Sequence, residues 1–358
     1  MKGILSVAAV AFLLALVWLT MPQPIPKKHV PGPAFYTKPR RFLVTGAGSG
    51  VGAHIAILLV EKGHIVMATD VAEERFKELR EQVPEGKRRN LHTETLDVSK
   101  AEQWDALLDS VYSHPDFGGL DVLLNNAGVL KPGNFSDDKV EELIDFHLDV
   151  NTKGVMIGGI KTARRMRQQV KEGKLPKGGH IVTISSASAI IPTPGLSLYS
   201  VSKFAARAFS IIASWDHESR NLGVYFSVIC PEAIRTPMAK VMCPEAIKTP
   251  MTVGETEKAR HGDGTLVVKK SELFAMSGHR LFTVDDVALV FFNKVLPWRP
   301  REVTMFFDNF RGIGAWLVNV FHDSRLVAHA RRHMLEGGAR FVRRLSKDSG
   351  VDLEVLDS

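Results

Sequence analysis

The stretch that most constrains the fold runs from Arg41 to Asp70, RFLVTGAGSGVGAHIAILLVEKGHIVMATD. A short apolar run, RFLVTG, meets a glycine-rich turn, then an apolar segment of helical length from Ala53 to Lys62, then a second apolar run, HIVMATD. Two strands separated by one helix pair in parallel, because the helix carries the chain back to the edge from which it started. Parallel strands need cover on both faces, so this unit predicts more strands and more helices.

The rest of the chain supplies them. LHTETLDV, LDVLLNNAG, GHIVTISS and GVYFSVIC read as strands, with helical segments between them such as Val140 to Val170. The alternation predicts an α/β fold of the Rossmann type, a doubly wound parallel sheet with helices on both faces. Ligands of such sheets sit beyond the carboxyl ends of the strands. With 358 residues, 45% apolar and 24% charged, the chain can build one large domain with extensions.

The turn TGAGSGVG, Thr45 to Gly52, opens directly onto the first helix. Gly46, Gly50 and Gly52, with Ser49 and Val51 between them, let the backbone approach a pyrophosphate at the positive end of that helix. The second strand ends at Asp70, where a carboxylate accepts hydrogen bonds from both hydroxyls of an adenosine ribose. Its charge repels the extra phosphate of NADP, and no arginine stands directly beside it in the sequence. NAD is therefore expected over NADP. A solvated turn residue is the plainer reading of Asp70.

Farther along, YSVSK places Tyr199 and Lys203 four residues apart, on one face of a helix, where the cation is expected to lower the phenol pKa. A tyrosine so placed can exchange a proton with an alcohol or carbonyl oxygen while a hydride moves to or from nicotinamide. Ser186, at the end of a strand, is placed to hydrogen-bond the same oxygen.

Five motifs in order, TGAGSGVG, LDV, NNAG, VNTKGV, and a serine followed by YSVSK, give the chain its resemblance. From about Arg40 to Asp308 it resembles the short-chain dehydrogenase/reductases of the Thr-Gly-x-x-x-Gly-x-Gly, Tyr-x-x-x-Lys kind, and among them the membrane-anchored steroid, retinol and lipid-alcohol dehydrogenases. The resemblance implies that Asp97 and Val98 flank the adenine and that Asn125, Asn126, Ala127 and Gly128 support the central strand and the cofactor. It implies that Asn151 holds a water linking Lys203 to solvent. Ser186, Tyr199 and Lys203 then carry the stabilising, acid/base and cofactor-ribose roles, and a homodimer is allowed.

The chain also repeats itself. Val228 to Met238, VICPEAIRTPM, returns as Val241 to Met251, VMCPEAIKTPM, with nine of eleven positions identical. The strand GVYFSVIC runs into the first copy, so by resemblance Pro231 and Thr236 take the place beside the nicotinamide. Glu232 stands where the family usually has glycine. The second copy is expected within a substrate lid at about 236–280, with Met238, Met242 and Met251 on an apolar pocket wall. A register slip that gives copy two the cofactor position is the alternative. Cys230 and Cys243 are matching positions of the repeat, not a disulfide plan, and a reducing compartment is expected.

At the N-terminus, Gly3 to Met21 is uncharged, and as a helix it would rise roughly 28 Å, about the thickness of the bilayer core. An uncleaved anchor is expected at 1–21, followed by a proline-rich linker at 22–39; a cleaved signal peptide is the competing reading. Lys27, Lys28, Lys38, Arg40 and Arg41 after the run, against Lys2 before it, leave the body of the chain in the cytosol, at the endoplasmic reticulum or a lipid droplet in a eukaryote. The net charge of +7 gathers near the ends, beside apolar segments, which suits a membrane surface better than nucleic acid. The basic C-terminal extension at 309–358 is either an amphipathic segment on anionic lipid or a solvated helix packed on the domain. His261 and His279 are isolated, and no metal is expected. Two functions remain open: an oxidoreductase acting on a lipophilic alcohol or carbonyl, and a non-catalytic dinucleotide sensor or scaffold on the same fold.

Overall fold

A computed structural model of the chain describes residues 38–193, 195–232, 234, 236, 238, 266–269, 282–299, 301–305 and 353–356. The expected anchor, the linker up to 37, the second copy of the repeat with Met242 and Met251, and nearly all of the C-terminal extension lie outside the described residues. Among the described residues, no helix is long and apolar enough to cross a membrane.

The elements follow the sequence alternation. Strand β1 is Arg41–Thr45, helix α1 Gly50–Glu61, β2 Ile65–Asp70, α2 Arg75–Gln82, β3 Leu91–Thr95, α3 Ala101–Ser113 and β4 Val122–Asn125. Then come α4 Leu143–Leu148, α5 Val155–Lys171, β5 Gly179–Ile184, α6 Ser197–Ser219, β6 Val224–Pro231, β7 Leu266–Lys269, α7 Val284–Val290, β8 Glu302–Met305 and β9 Leu353–Leu356. Seven strands form one sheet in the order β3-β2-β1-β4-β5-β6-β8, every neighbouring pair parallel. Strands β7 and β9 pair separately, in parallel, so the segment expected as a lid and the C-terminal extension each contribute a strand.

Alternate residues of β1 feed opposite faces of the sheet. Phe42 and Val44 pack with Ile55 and Leu59 of α1 and with Val287 of α7. Leu43 packs on the other side with Trp104 and Leu107 of α3 and Ala163 and Met166 of α5. Both faces are therefore apolar and covered, as parallel strands require. Trp104 is fully buried and donates its indole N–H to Val98 O at 2.9 Å, and a Cβ at Gly158 of α5 would lie 2.4 Å from its ring. Cys230, on β6, is a fully buried free thiol.

One expected element is not regular. The segment Val140 to Val170 is a 3-10 turn, then α4, then a π turn over Asp149–Gly154, then α5. The π turn inserts extra backbone where Asn151 sits, a common device for aiming one side chain out of helical phase.

Strand order reverses between β2 and β4, the neighbours of β1 on either side. The crevice beyond the carboxyl ends of these strands is where the candidate site lies.

Candidate active site

The glycine turn is shaped by what touches it. Its backbone passes through φ of +64° at Gly46 and +57° at Gly50, where side chains are strained. At Gly52 a Cβ would come within 2.3 Å of Gly46 O, so only glycine lets α1 start this close to the turn. Ser49 precedes α1 without a side-chain cap, so the first N–H groups of the helix have no partner within it. Asn126 ties the turn to β4: its amide donates to Thr45 O at 2.9 Å and Gly46 O at 3.2 Å. The Thr45 hydroxyl accepts the N–H groups of Asn126 and Ala127, each at 3.0 Å. Asn125 instead braces β4 against the helix behind it, donating to Val155 O at 2.8 Å.

Asp70 is buried at the end of β2. Its carboxylate accepts from Gly48 N at 2.9 Å and Ala72 N at 3.0 Å, which locks it against the turn. The sequence places no arginine directly beside Asp70, but the fold brings Arg75, from the start of α2, to 3.7 Å. Asp97 spends its carboxylate locally, accepting from Ser99 N at 2.9 Å and Ser99 Oγ at 2.7 Å. Val98 is buried against the π turn, where a Cβ at Gly154 would meet it at 2.7 Å.

The acid/base group is assembled from three elements. Ser186 caps a short 3-10 turn after β5, accepting from Ser188 N at 3.1 Å, and stands close enough to the Tyr199 hydroxyl to pull its pKa down. Tyr199 and Lys203, both on α6, are buried, as expected of residues on the inner face of one helix. Burial pushes the Tyr199 pKa up to about 12, against the pull of Ser186. Burial brings Lys203 down to about 8. The expected lowering of the phenol by the ammonium is thus reversed: Lys203 Nζ lies 5.7 Å from the ring centroid and donates to Ile184 O at 3.2 Å.

Asn151 is fully buried and clamps the loop after β4. Its Oδ1 accepts from Val129 N at 2.8 Å, and its Nδ2 donates to Val129 O at 2.9 Å and Ser202 Oγ at 3.0 Å. Gly128 lies between Asn151 and Lys203, since a Cβ there would be 3.2 Å from both Asn151 Oδ1 and Lys203 Nζ. The first copy of the repeat continues β6 through Pro231, and the Thr236 methyl lies over Gly50, where a Cβ would meet it at 3.4 Å. Glu232, in the glycine's usual place, is half-buried, and its N–H donates to Met305 O at 3.2 Å. Met238 packs with Leu130, Leu196 and Tyr199, an apolar wall beside the phenol.

His147 was not singled out from the sequence. It is fully buried on α4, its Nδ1 bonded to Leu143 O at 2.9 Å, while Nε2 accepts from Lys131 N at 3.0 Å. This fixes a neutral ring with its proton on Nδ1, and burial lowers its pKa. The ring meets Tyr199 edge to face, centroids 6.3 Å apart. The available signal was its place four residues before Asn151, the spacing that shares one face in a regular helix.

A family model described as short chain dehydrogenase matches residues 40–247. Farnesol dehydrogenase of Aedes aegypti is 32% identical over 198 residues, which cover 54% of this chain and 77% of that protein. The 3-beta-hydroxysteroid dehydrogenase of Comamonas testosteroni is 31% identical over 196 residues, 55% of this chain and 71% of that protein. The crystal structure of a short chain dehydrogenase/reductase from Burkholderia phymatum in complex with NAD matches with a TM-score of 0.58 at 23% identity, over 75% of this chain and 89% of that one, which speaks for the fold. A match over more than half of its length, on a parallel sheet that gathers a serine, a tyrosine and a lysine beside a glycine turn, shows that the chain belongs to the short chain dehydrogenase family, oxidoreductases that act on CH–OH groups with NAD(P).

Proposed function

We propose that the chain interconverts an alcohol and a carbonyl on a lipophilic molecule, of the steroid, retinoid or fatty-alcohol class, with NAD preferred over NADP. The observation that carries the reading is the Tyr199 hydroxyl, set beside Ser186 and flanked by Leu130, Leu196 and Met238, so that proton transfer and an apolar substrate share one wall. The dinucleotide, when bound, supplies the hydride acceptor or donor. Gly46 to Gly52 and Asp70 would hold it, and the N–H groups at the start of α1, which have no partner within the helix, suit its pyrophosphate.

Tyr199 moves the proton. In reduction the phenol gives its proton to the substrate oxygen, while Ser186 holds that oxygen in place. With its pKa at about 12 the group is a phenol at neutral pH, the form that carbonyl reduction requires; oxidation draws on the phenolate and so gains as pH rises. Asn151 holds Val129, and His147 holds Lys131, which fixes the loop facing the phenol. The preference for NAD rests on the buried Asp70, although Arg75 at 3.7 Å offsets part of its charge. The names of the farnesol and 3-beta-hydroxysteroid dehydrogenases support an apolar substrate. The apolar Gly3 to Met21 supports a membrane anchor, and the basic residues after it support a cytosolic catalytic domain.

The test is NADH fluorescence with a panel of lipophilic alcohols and ketones, on the wild type and on Tyr199→Phe. The variant should lose roughly 10²-fold or more in turnover while binding NADH nearly as before. Near-normal turnover in Tyr199→Phe would end the mechanism. Faster turnover with NADPH than with NADH would end the cofactor preference, and NADH binding with no turnover across the panel would favour the sensor.

A further inference from the structure

Away from the active site, two imidazoles and a carboxylate converge at the edge of the sheet. His92 is the second residue of the edge strand β3 and pairs with Met67 of β2, while Asp70, at the cofactor end of β2, pairs with Thr95. His114 directly follows α3, and Asp116 stands two residues on. The cluster therefore lies toward the opposite end of the sheet from the glycine turn. The His92 and His114 rings meet edge to face, centroids 4.6 Å apart, and Phe117 closes the apolar side at 5.4 Å and 5.7 Å from them. Asp116 Oδ2 lies 3.4 Å from His92 Nε2 and 4.0 Å from His114 Nδ1. His92 Nε2 is shielded from solvent and makes no hydrogen bond among the described residues, so the Asp116 carboxylate is its polar neighbour, while His114 Nδ1 accepts from Asp116 N at 3.1 Å, a bond that an ion on that nitrogen would replace.

We propose that His92, His114 and Asp116 form a binding site for a divalent transition metal ion of the Zn²⁺ and Co²⁺ class, with water completing its coordination. One ligand atom from each residue lies within 4.8 Å of the others. A tetrahedral ion with bonds of about 2.1 Å holds its ligand atoms roughly 3.4 Å apart, so closing the site requires a contraction of at most about 1.4 Å at its widest pair. Asp116 Oδ2 already lies 3.4 Å and 4.0 Å from the two ring nitrogens, so any wider gap is between the imidazoles, and the His114 ring, 30% exposed at the end of α3, turns to close it while the exposed Asp116 side chain follows. Two imidazoles with one carboxylate suit zinc, cobalt, nickel and copper; calcium and magnesium ask for oxygen ligands. The Arg80 guanidinium also acts on His92, from α2, and opposes a cation there; the Asp116 carboxylate offsets it. A bound ion joins the exposed edge strand to the end of α3, so it staples the sheet edge and leaves the chemistry alone.

The full-length protein, stripped with chelator, is titrated with Co²⁺ and with Zn²⁺ by calorimetry and absorption, and its thermal midpoint is read with and without Zn²⁺. The chain has 13 histidines, so His92→Gln and Asp116→Asn identify the site. The wild type should bind one ion that His92→Gln lacks, with a midpoint rise of several degrees that His92→Gln also lacks. Asp116→Asn, an exposed substitution that leaves folding intact, should weaken that ion at least tenfold. Turnover should be the same in all three proteins. Equal ion counts and equal midpoint shifts in the wild type and His92→Gln would overturn the site, as would a wild type that binds no ion or an Asp116→Asn that binds as tightly as the wild type.

Discussion

Lys203 shows what the active site costs the fold. Its pKa of about 8 lies below the 10.5 of an exposed lysine, so the folded chain disfavours the ammonium. Between those values the unfolded chain binds more protons than the folded one, and stability rises with pH across that window; below pH 8 the full cost is present. Lys203→Met removes the charge and keeps the apolar stem. It should stabilise the cofactor-free protein at pH 7, by up to about 3 kcal/mol, and the gain should shrink as pH approaches 10. Urea unfolding of both proteins at the two pH values checks this, and a gain that does not change with pH would show that the Lys203 charge is not its source. Tyr199 and Lys203 were legible in the sequence because four residues on a helix fix their shared face. Their pKa values were not, because burial outweighs the pairing that the spacing suggests.

At the scale of elements, the start of α7 shows a local rule carried through. Thr283 accepts from Asp286 N at 3.2 Å, and Asp286 Oδ2 accepts from Thr283 N at 2.8 Å, a complete capping box. Thr283→Ala should lower stability by about 1 kcal/mol, read from the urea midpoint, with activity retained. An unchanged midpoint would mean that packing of Val287 against the core holds the helix without its cap. Thr283 could be read from the sequence because its signal spans three residues. The π turn could not: one extra turn residue between two helical runs leaves apolar spacing close to 3.6 on either side. Arg75 beside Asp70, and His114 beside His92, were hidden for a different reason. Each pairing depends on how a helix returns to its strand, which no local period encodes.

At the scale of the whole molecule, the proposed anchor would divide the chain between membrane and solvent. If Gly3 to Met21 spans a bilayer, the full chain should resist extraction by high salt and by alkaline carbonate, and its catalytic domain should be open to protease added to sealed vesicles. A protein starting near Pro33 should keep catalysis, bind anionic vesicles weakly and release as salt rises, because charge alone then holds it. Indifference to anionic lipid would assign the basic C-terminal segment to ordinary packing. Protection of the domain from protease would place it on the other side of the membrane.

The buried thiol of Cys230 gives the molecule a clock of its own. It sits on β6 at 0% exposure, and burial raises its pKa, so an alkylating reagent finds no thiolate there while the sheet is closed. Labelling therefore waits for β6 to part from β5 or β8, and its rate counts those openings. Digestion and mass spectrometry separate the Cys230 peptide from that of Cys243, so the two halves of a near-identical repeat can be timed independently in one tube. A ligand that seats against Pro231 and Thr236 should slow the first clock, which makes the repeat a built-in reporter of site occupancy.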